Sequence, residues 1–361
     1  MRILVLANIG LGLYKFRREL LEELVKEHEV FFCIPEDEFV EPIKAIGCNY
    51  LPCYSLERRS TNPVKDYKLY REYIAVIKKT HPDIVFTYTI KPNVYGGLAC
   101  QRLHIPYIAN ITGLGTTIEN GGILAKISTT LYHAGLKEAK CVFFQNEENR
   151  QLFVGKGITK GRTVLIPGSG VNTGIHSVEP YPSDGEGIHF LFVGRIMKDK
   201  GIEELLSAMK TIHEERKDVF LDIVGFCDEN YSAALGEAER QGYTVFHGKQ
   251  SDVHPFYTSC HCTVLPSYHE GMANVLLEAS STGRPVIASR VPGCRETFDE
   301  GITGFGCEAK NTGSLVDAIR RFLALAQSER EKMGKAARKK MEQEFDRSIV
   351  IRAYMDELRL S

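Results

Sequence analysis

The sequence has no long apolar run and no excess of charge of one sign. No stretch approaches the roughly 18 apolar residues of a membrane-spanning helix, and the apolar run after Arg2 is too short for the core of a signal peptide. The 45 basic residues are balanced by 46 acidic ones, so the overall charge does not indicate a nucleic-acid-binding protein. With 43% hydrophobic and 25% charged residues, the composition is that of a globular enzyme rather than of a disordered chain.

Paired cysteines are also missing. None of the ten cysteines has the Cys-x-x-Cys spacing typical of zinc or redox sites, and most of them, such as Cys33 and Cys141, lie in apolar runs that resemble strands. The cluster Cys260-His261-Cys262 is the one candidate for a metal site, but the alternation of residues along this strand favours buried packing instead. A reducing cytoplasm is therefore the expected compartment.

Strand and helix patterns alternate along the chain, which is typical of parallel sheets covered by helices on both faces. At 361 residues the chain also exceeds a single comfortable core. We therefore expect an α/β fold with two doubly wound, Rossmann-like domains that face each other across a cleft. The first domain is predicted over residues 1–170 and the second over 171–344, with a linker at 172–187 and a C-terminal helix, 345–361, that packs back on the first domain.

The predicted elements follow from hydrophobic periodicity and from turn residues. Strands are predicted at residues 2–8, 29–34, 84–87, 107–110, 141–145 and 163–166 of the first domain and at 189–193, 220–224, 244–247, 262–265 and 285–288 of the second. The first helix is predicted at 16–26, after a glycine-containing loop over 9–15, and the C-terminal helices at 312–326, 329–345 and 349–358.

The stretch from Pro266 to Glu278 joins the end of a predicted strand to the start of a predicted helix, with Asn274 as the expected N-cap. Loops of this kind are where α/β sheets bind ligands. The amides and the dipole of the helix start favour an anion such as a diphosphate, and Glu270 and Glu278 can accept hydrogen bonds from neutral hydroxyl groups. The pattern favours a ligand with both phosphate and polyol groups; a surface glutamate beside a capping helix is the alternative.

A second loop, from Gly194 to Gly201, also follows a predicted strand. Its Arg195 offers a planar guanidinium and its Lys200 a point charge, and both suit a diphosphate, although two solvated loop cations would look the same. The Asp-x-Asp pair that serves a metal-bound nucleotide sugar is absent from the chain. We therefore expect a site without a metal or another cofactor, in which Arg195, Lys200 and helix amides balance the charge of the leaving group.

The glycine-containing loop with Gly10 and Gly12 resembles half of a dinucleotide fingerprint. The third glycine is missing, and no acidic residue ends the second strand. We interpret Gly12 as a point where the backbone can approach a phosphate or a sugar from the opposite domain. A tight turn with no role in ligand binding is the alternative.

Two of these segments resemble the paired signatures of a known family. The run Glu-Gly-Met-Ala-Asn-Val-Leu-Leu-Glu from Glu270 to Glu278 and the loop with Arg195 and Lys200 are similar to the motifs of the retaining glycosyltransferases of family four, which have the GT-B fold. The resemblance in order and spacing covers essentially the whole chain. It implies that Arg195 and Lys200 bind the donor diphosphate. It further implies that Glu278 binds the ribose hydroxyls and Glu270 the transferred sugar.

The resemblance also implies further donor contacts. Amides from Gly271 to Asn274 would surround the phosphates and the sugar, and the segment 248–253 corresponds to the turn that contacts the nucleobase. Arg195, Lys200 and Glu270 are the residues expected to act in catalysis. The expected donor site consists of Gly12, Gly194, Arg195, Lys200, Lys249, Glu270, Gly271, Met272, Ala273, Asn274 and Glu278.

Several short segments narrow the resemblance to a bacterial subgroup. Its members add a hexose or an N-acetylhexosamine to a sugar on polyprenyl diphosphate during glycan and capsule assembly. The segments are residues 13–17, 59–63, 112–115, 228–230 and 292–296. One departure is that many family members carry a histidine in the loop occupied here by residues 111–113, so a histidine as base or sugar ligand is not implied for this chain.

Acceptor contacts are expected from loops at the strand ends of the first domain. Lys91 follows such a strand and suits an acceptor phosphate, although a plain surface lysine is equally compatible with the sequence. Tyr14, Asn93, Thr112 and Gly113 complete the predicted acceptor site.

Residues 57–79 are rich in basic side chains interleaved with tyrosines. Tyr67, Tyr70 and Tyr73 recur every three residues, which would place them in one stripe of a helix beside the cations. This pattern suits peripheral contact with the anionic inner face of the cell membrane or with a lipid diphosphate. A solvated helix whose tyrosines pack on the sheet is the alternative.

These features together predict transfer of a hexose or an N-acetylhexosamine from a nucleotide sugar, expected to be UDP-linked, to a lipid-linked glycan in cell-surface polysaccharide assembly. Retention at the anomeric carbon is implied by the resemblance and not by residue spacing. A UDP-sugar epimerase or hydrolase of the same fold and a non-catalytic nucleotide-sugar-binding protein are the alternatives, because a fold does not fix a function. No nucleic acid partner is expected.

Overall fold

The computed structural model describes residues 1–57, 60, 62–113 and 122–360. The chain divides into two compact units, of which the first comprises Met1–Ser169 and the residues from Ser348 onward and the second comprises Gly170–Arg347. Each unit is built around one parallel sheet with helices on both faces. The predicted α/β class with two doubly wound, Rossmann-like domains is confirmed.

The first unit contains, within its described residues, a seven-stranded sheet. The strands are β1 Arg2–Leu6, β2 Glu29–Ile34, β3 Asn49–Pro52, β4 Ile84–Tyr88, β5 Tyr107–Ile111, β6 Cys141–Phe144 and β7 Arg162–Leu165, in the spatial order β3-β2-β1-β4-β5-β6-β7. The helices are α1 Gly10–Leu24, α2 Val40–Ala45, α3 Pro63–Thr80, α4 Gly97–Leu103, α5 Gly122–Leu136 and α6 Glu147–Gly155, with a π-helical segment at Pro92–Gly96.

The second unit repeats this plan with a six-stranded sheet in its described residues. The strands are β8 Ile188–Val193, β9 Val219–Val224, β10 Thr244–Phe246, β11 Cys262–Leu265, β12 Val286–Ser289 and β13 Gly304–Cys307, in the order β10-β9-β8-β11-β12-β13. The helices are α7 Ile202–Glu215, α8 Ser232–Arg240, α9 His254–Ser259, α10 Asn274–Ser281, α11 Thr312–Leu323 and α12 Gln327–Lys340, followed by a π-helical segment at Met341–Phe345. The last helix of the chain, α13, spans Arg347–Arg359.

Side chains of the first sheet alternate between two apolar layers. Ile3 and Val5 of β1 pack in the layer that contains α1 and α13, while Leu4 and Leu6 pack in the layer that contains α3 and α4. This alternation is what a strand covered on both faces requires. Tyr354 of α13 is fully buried in the first layer, so the C-terminal helix is part of the first unit. Among the described residues, no helix combines the length and the hydropathy that crossing a membrane requires.

Two strands were not predicted, and both lie at sheet edges. β3 ends at Pro52, and β13 contains two glycines in four residues, Gly304 to Cys307. An edge strand pairs on one side only, so it tolerates the proline and glycine that argue against a strand in the sequence.

The first helix begins earlier than predicted. α1 starts at Gly10, so the predicted glycine loop forms the first turns of a helix. The carboxylate of Asp37 accepts a hydrogen bond from the Gly10 amide at 2.6 Å, which stabilises the positive end of the helix. A Cβ atom on Gly10 would lie 2.4 Å from Asp37 Oδ1. Gly10 is therefore required by packing against Asp37.

The predicted linker, residues 172–187, is bound to the second unit instead of running free. Arg284 is fully buried, and its guanidinium donates hydrogen bonds to the carbonyl oxygens of Glu179 at 3.1 Å and Pro180 at 2.7 Å. The same group donates to the carbonyl oxygen of Thr258 at 2.9 Å. These charge-assisted hydrogen bonds hold the segment on the second unit. Because the segment itself has no apolar periodicity, its sequence is typical of a linker.

Candidate active site

The candidate site lies where the strand order of the second sheet reverses. β8 and β11 are hydrogen-bonded neighbours, with β9 on one side and β12 on the other. In doubly wound sheets, ligands bind at the carboxyl ends of two such strands. The loop after β8 carries Arg195 and Lys200, and the loop after β11 carries Glu270. The fold therefore brings together two motifs that lie far apart in the sequence.

Lys200 and Glu270 form an ion pair across these two loops, with side chains that are 18% and 14% exposed. Ser267 is buried and donates a hydrogen bond from Oγ to Oε1 of Glu270 at 2.8 Å. Ion pairing at such burial orients both charged groups, although desolvation offsets much of its Coulomb energy. A ligand that binds Lys200 and Glu270 must therefore either add its contacts to this ion pair or break the pair and take the place of one partner.

The close approach of the two loops requires a glycine at position 201. Gly201 has a φ of +71° and precedes α7 directly. A Cβ atom at this position would lie 2.2 Å from the carbonyl oxygen of Pro266. The backbone after β8 therefore touches the backbone after β11, and this contact sets the distance between Lys200 and Glu270.

Arg195 is held by the loop that follows β9. Its Nη1 donates to Oδ2 of Asp228 at 2.8 Å, and the two side chains are 40% and 17% exposed. Gly225 allows this contact, because a Cβ atom there would lie 1.7 Å from the carbonyl oxygen of Gly194. The loop with Arg195 is thus packed against a neighbouring loop rather than projecting into solvent.

The start of α10 differs from the prediction by one residue. Ala273, and not Asn274, occupies the N-cap position, and no side chain caps it. The Ala273 amide donates to the carbonyl oxygen of Gly293 at 2.8 Å, so the chain after β12 supports the helix start. Oδ1 of Asn274 is buried without a hydrogen-bond partner among the described residues. The uncapped helix amides suit an anionic group, whereas Oδ1 of Asn274, which only accepts hydrogen bonds, suits a donor such as a sugar hydroxyl.

Glu278 lies one turn further along α10, on the same face as Asn274. The hydroxyl of Tyr257, a fully buried residue of α9, donates to Oε2 of Glu278 at 2.9 Å. Burial, reinforced by the Glu278 carboxylate, raises the pKa of Tyr257 well above its ordinary value. Tyr257 therefore stays protonated and fixes the orientation of Glu278.

The remaining predicted donor residues have diverse environments. The side chain of Met272 is buried in an apolar cluster with Leu277 and Met341, so a contact with a donor would have to come from its backbone. Lys249 is exposed in the turn after β10. Gly12 lies inside α1 of the first unit, where a Cβ atom would approach only Ile9, at an ordinary 3.7 Å. The predicted flexible loop at Gly12 is therefore wrong, and its part in donor binding stays a prediction.

Among the predicted acceptor residues, Lys91 is not a plain surface lysine. Its Nζ lies 2.7 Å from Oδ1 of Asp66, and the two side chains are 14% and 15% exposed. The hydroxyl of Tyr95 donates to the other oxygen of Asp66 at 2.8 Å. An acceptor phosphate would join an existing, half-buried charge network at this point.

Asn93 is completely buried between two strand ends. Its Oδ1 accepts a hydrogen bond from Thr87 Oγ1 at 2.7 Å, and its Nδ2 donates to the carbonyl oxygen of Asn110 at 2.9 Å. These bonds hold the ends of β4 and β5 together, and a contact of Asn93 with an acceptor stays a prediction.

The other predicted acceptor residues also belong to the first unit. Tyr14 is half-buried on α1, and its ring centroid lies 5.7 Å from that of Phe39. Thr112 and Gly113 follow β5 directly and are half-buried. The residues that follow, 114–121, lie outside the described residues.

The basic segment forms α3, capped by the side chain of Asn62, which accepts from the Val64 amide at 2.9 Å. Its tyrosines do not form one exposed stripe, because Tyr73 is fully buried whereas Tyr67 is 58% exposed. The helix is thus anchored on the sheet through Tyr73 and presents Tyr67 to solvent. Two of the predicted cations, at positions 58 and 59, lie outside the described residues.

Sequence reasoning did not identify Asp228, Tyr257 and Ser267 as site residues. Ser267 lies in the quoted glutamate stretch, and Asp228 lies in one of the subgroup-like segments, so both had a sequence signal. Tyr257 had none, because its contact with Glu278 is made by two helices that meet only in the fold.

Two glycosyltransferase family models and several named relatives match the chain. The family model described as glycosyl transferases group 1 matches residues 177–340, and the glycosyl transferase 4-like domain matches residues 12–168. The chain is 27% identical over 375 residues to the N,N'-diacetylbacillosaminyl-diphospho-undecaprenol alpha-1,3-N-acetylgalactosaminyltransferase of Campylobacter jejuni, covering 98% of this chain and 97% of the relative. It is 27% identical over 303 residues to the capsular polysaccharide biosynthesis glycosyltransferase CapM of Staphylococcus aureus, covering 79% and 78%.

Solved structures of similar fold cover the whole chain. Anabaena HepE in complex with UDP and glucose matches with a TM-score of 0.81 at 17% identity over 100% of both chains. Sucrose-phosphate synthase from Thermosynechococcus elongatus matches with a TM-score of 0.80 at 21% identity over 99% of this chain and 98% of the other. These likenesses confirm the GT-B fold that the sequence resemblance implied.

Proposed function

The chain belongs to the group 1 glycosyltransferases, and on that basis we propose that it moves a hexose or an N-acetylhexosamine from a UDP-sugar to a lipid-linked glycan with retention at the anomeric carbon. The observation that carries the proposal is the Lys200–Glu270 pair at the point where the strand order of the second sheet reverses. A cation suits a phosphate and a carboxylate suits sugar hydroxyls, so the pair supports binding of a nucleotide sugar, which has both groups.

The donor assignment follows from the chemistry around that pair. Arg195 and Lys200 would bind the diphosphate, the uncapped start of α10 would add backbone amides, and Glu278 would accept hydrogen bonds from the ribose. Anabaena HepE, which shares the fold, was solved with UDP and with UDP-glucose, and this supports UDP as the first nucleotide to test.

The acceptor assignment is supported by the Campylobacter relative, whose name describes transfer to a sugar carried on diphospho-undecaprenol. That relative matches nearly the whole of this chain, including the first unit, where we propose that the acceptor binds. Lys91, in its network with Asp66, is the cation proposed to meet a lipid diphosphate.

In the proposed reaction, the bond between the anomeric carbon and the diphosphate oxygen breaks, and the acceptor oxygen bonds to the same face of that carbon. The departing diphosphate takes the proton of the acceptor hydroxyl. Arg195 and Lys200 stabilise the negative charge that develops on the diphosphate. Glu270 holds the sugar hydroxyls and keeps Lys200 in place before the donor arrives.

Thermal unfolding in the presence of a panel of UDP-sugars tests the donor assignment. A donor at 100 times its dissociation constant would stabilise the protein by roughly 2.7 kcal/mol. The stabilising sugar is then assayed with polyprenyl-linked glycan extracts. Conversion or hydrolysis of the donor at full rate without any acceptor would show that the protein is an epimerase or a hydrolase instead.

Replacement of Lys200 by alanine tests the catalytic assignment. We expect turnover to fall about 10² to 10³-fold, the range typical for loss of one charge-stabilising donor. Lys198→Ala is the matched control, because Lys198 is an exposed lysine of the same short turn, Lys198–Lys200. Equal turnover in the two variants would contradict the role of Lys200.

We also propose that the exposed face of α3 contacts the membrane that carries the acceptor. Tyr67 and Val64 are 58% and 64% exposed, and Lys68 and Arg71 are exposed beside them. Aromatic side chains flanked by cations bind at the interface of anionic bilayers.

Sedimentation with vesicles that contain anionic lipid tests this surface. Tyr67→Ala combined with Lys68→Ala should reduce binding at low salt, while Lys210→Ala, which removes an exposed lysine of α7 in the second unit, should not. Unchanged sedimentation of the first variant would exclude a membrane role for this face of α3.

A further inference from the structure

The segment 228–230, singled out by its likeness to a bacterial subgroup, has no part in the reaction as proposed above. It lies in the loop after β9, which is bonded through its backbone to the loop that carries Arg195. The Ile196 amide donates to the carbonyl oxygen of Phe226 at 2.9 Å, and the Asp228 amide donates to the carbonyl oxygen of Ile196 at 3.1 Å. The loop with Arg195 is thus supported by a second loop along its length.

Two side chains of this second loop complete the contact. Glu229 accepts a hydrogen bond at Oε2 from the Lys198 amide at 2.8 Å. Asp228 accepts one at Oδ2 from Nη1 of Arg195, also at 2.8 Å. The guanidinium of Arg195 has five N–H donors, and its hydrogen bond to Asp228 uses one edge of the group. The Arg195 side chain is 40% exposed, so other N–H donors remain for a ligand.

We propose that Asp228 is a positioning residue for the transfer reaction, which orients the Arg195 guanidinium toward the departing diphosphate without contacting the donor itself. An arginine that is held before the donor binds does not have to lose its rotamer freedom during the reaction. A preoriented charge also stabilises the transition state more than one that must first reorganise.

The charge of Asp228 gives this role a recognisable kinetic signature. The carboxylate has the same sign of charge as the proposed diphosphate, so it makes no attractive contact with the donor that its removal could take away. Removing it should lower kcat while the donor KM stays constant or falls. Loss of a structural contact, in contrast, would raise the donor KM and lower Tm.

Three variants measure this signature, and the inference rests on the proposed role of Arg195 at the donor. Asp228→Ala, which removes both the charge and the acceptor atom, should lower kcat about tenfold, less than loss of a charge-stabilising donor itself. Asp228→Asn keeps an acceptor oxygen for Arg195 and should retain kcat within about threefold. Asp218→Ala, which breaks the exposed Arg216–Asp218 pair before β9, is the control and should leave kcat and KM unchanged.

A double-mutant cycle with Arg195→Ala shows whether Asp228 acts through Arg195. We expect Asp228→Ala to have no further effect on kcat in the Arg195→Ala background. An equal loss in both backgrounds, or a normal kcat for Asp228→Ala where Arg195→Ala is impaired, would overturn the positioning role and leave the proposed function standing. A normal kcat for Arg195→Ala would overturn the donor role of Arg195 and, with it, the role of Asp228.

Discussion

Tyr257 makes a contact that can be removed with little change in shape. Its buried hydroxyl donates to Glu278, the residue proposed to bind the ribose. We expect Tyr257→Phe to raise the donor KM about three- to tenfold, the equivalent of one hydrogen bond of 0.5 to 1.5 kcal/mol, because Glu278 loses its fixed orientation. Steady-state kinetics with the UDP-sugar that binds would measure this change, and kcat should change much less than KM.

Tyr243→Phe is the matched control for this prediction. Tyr243 is also a buried tyrosine of the second unit, but its hydroxyl donates to the carbonyl oxygen of Leu206 on α7. The control should leave the donor KM unchanged. If both variants raise the donor KM equally, the effect comes from the core and not from Glu278.

Site residues could be predicted when the residues next to them in the sequence indicate their role, and not when the role depends on contacts that form only in the fold. Glu270 and Lys200 each follow a strand and precede a helix, and this local pattern alone predicts a ligand-facing loop. The structural role of Asn93 was not predicted, because its burial between β4 and β5 depends on strand pairing that a loop sequence does not reveal. The part played by Tyr257 could not be predicted either, since it depends on how α9 packs against α10.

At the scale of elements, Gly201 couples the start of α7 to the loop after β11. We expect Gly201→Ala to destabilise the second unit by at least about 1 to 2 kcal/mol, the cost of a left-handed backbone for a residue with a Cβ atom. The added atom would also meet the Pro266 carbonyl oxygen at 2.2 Å and force the two loops apart. Activity should therefore fall together with Tm.

Gly236→Ala provides the opposite expectation in the same unit. Gly236 lies inside α8, and nothing lies within 4 Å of the position where a Cβ atom would stand. Alanine should stabilise this helix by about 0.5 to 1 kcal/mol and leave activity unchanged. Equal changes of Tm in the two variants would argue against the steric role of Gly201.

The elements that were predicted correctly have a strong hydrophobic pattern in their own sequence. The features that were missed depend on contacts with residues that are distant in the sequence. A buried central strand such as β6 is a continuous apolar run, which predicts it directly. The start of α1 was missed because it is stabilised by Asp37, a residue from a later loop. The contacts of the predicted linker, residues 172–187, could not be predicted, because they come from Arg284, which lies far away along the sequence.

At the scale of the whole molecule, two histidines of the second unit, His189 and His261, connect stability to pH. His261 is 2% exposed, and its Nδ1 accepts a hydrogen bond from the His189 amide at 3.0 Å. Burial lowers the pKa of His261 to about 4. His189 behaves in the opposite way, because the hydrogen bond between its side chain and Asp222 raises the pKa of His189. The two histidines therefore change stability with opposite signs as the pH falls.

The contribution of His261 can be isolated by substitution. The folded state keeps His261 neutral, whereas the unfolded chain binds a proton at the ordinary pKa of about 6.5, so stability is lost as the pH falls from about 6.5 to 4. His261→Asn retains an acceptor for the His189 amide but does not titrate. Between pH 7.5 and 4.5, the unfolding free energy of the natural protein should therefore fall by about 2 to 3 kcal/mol more than that of the variant. Urea unfolding of both proteins at the two pH values measures the difference, and parallel losses would mean that His261 is protonated in the folded state.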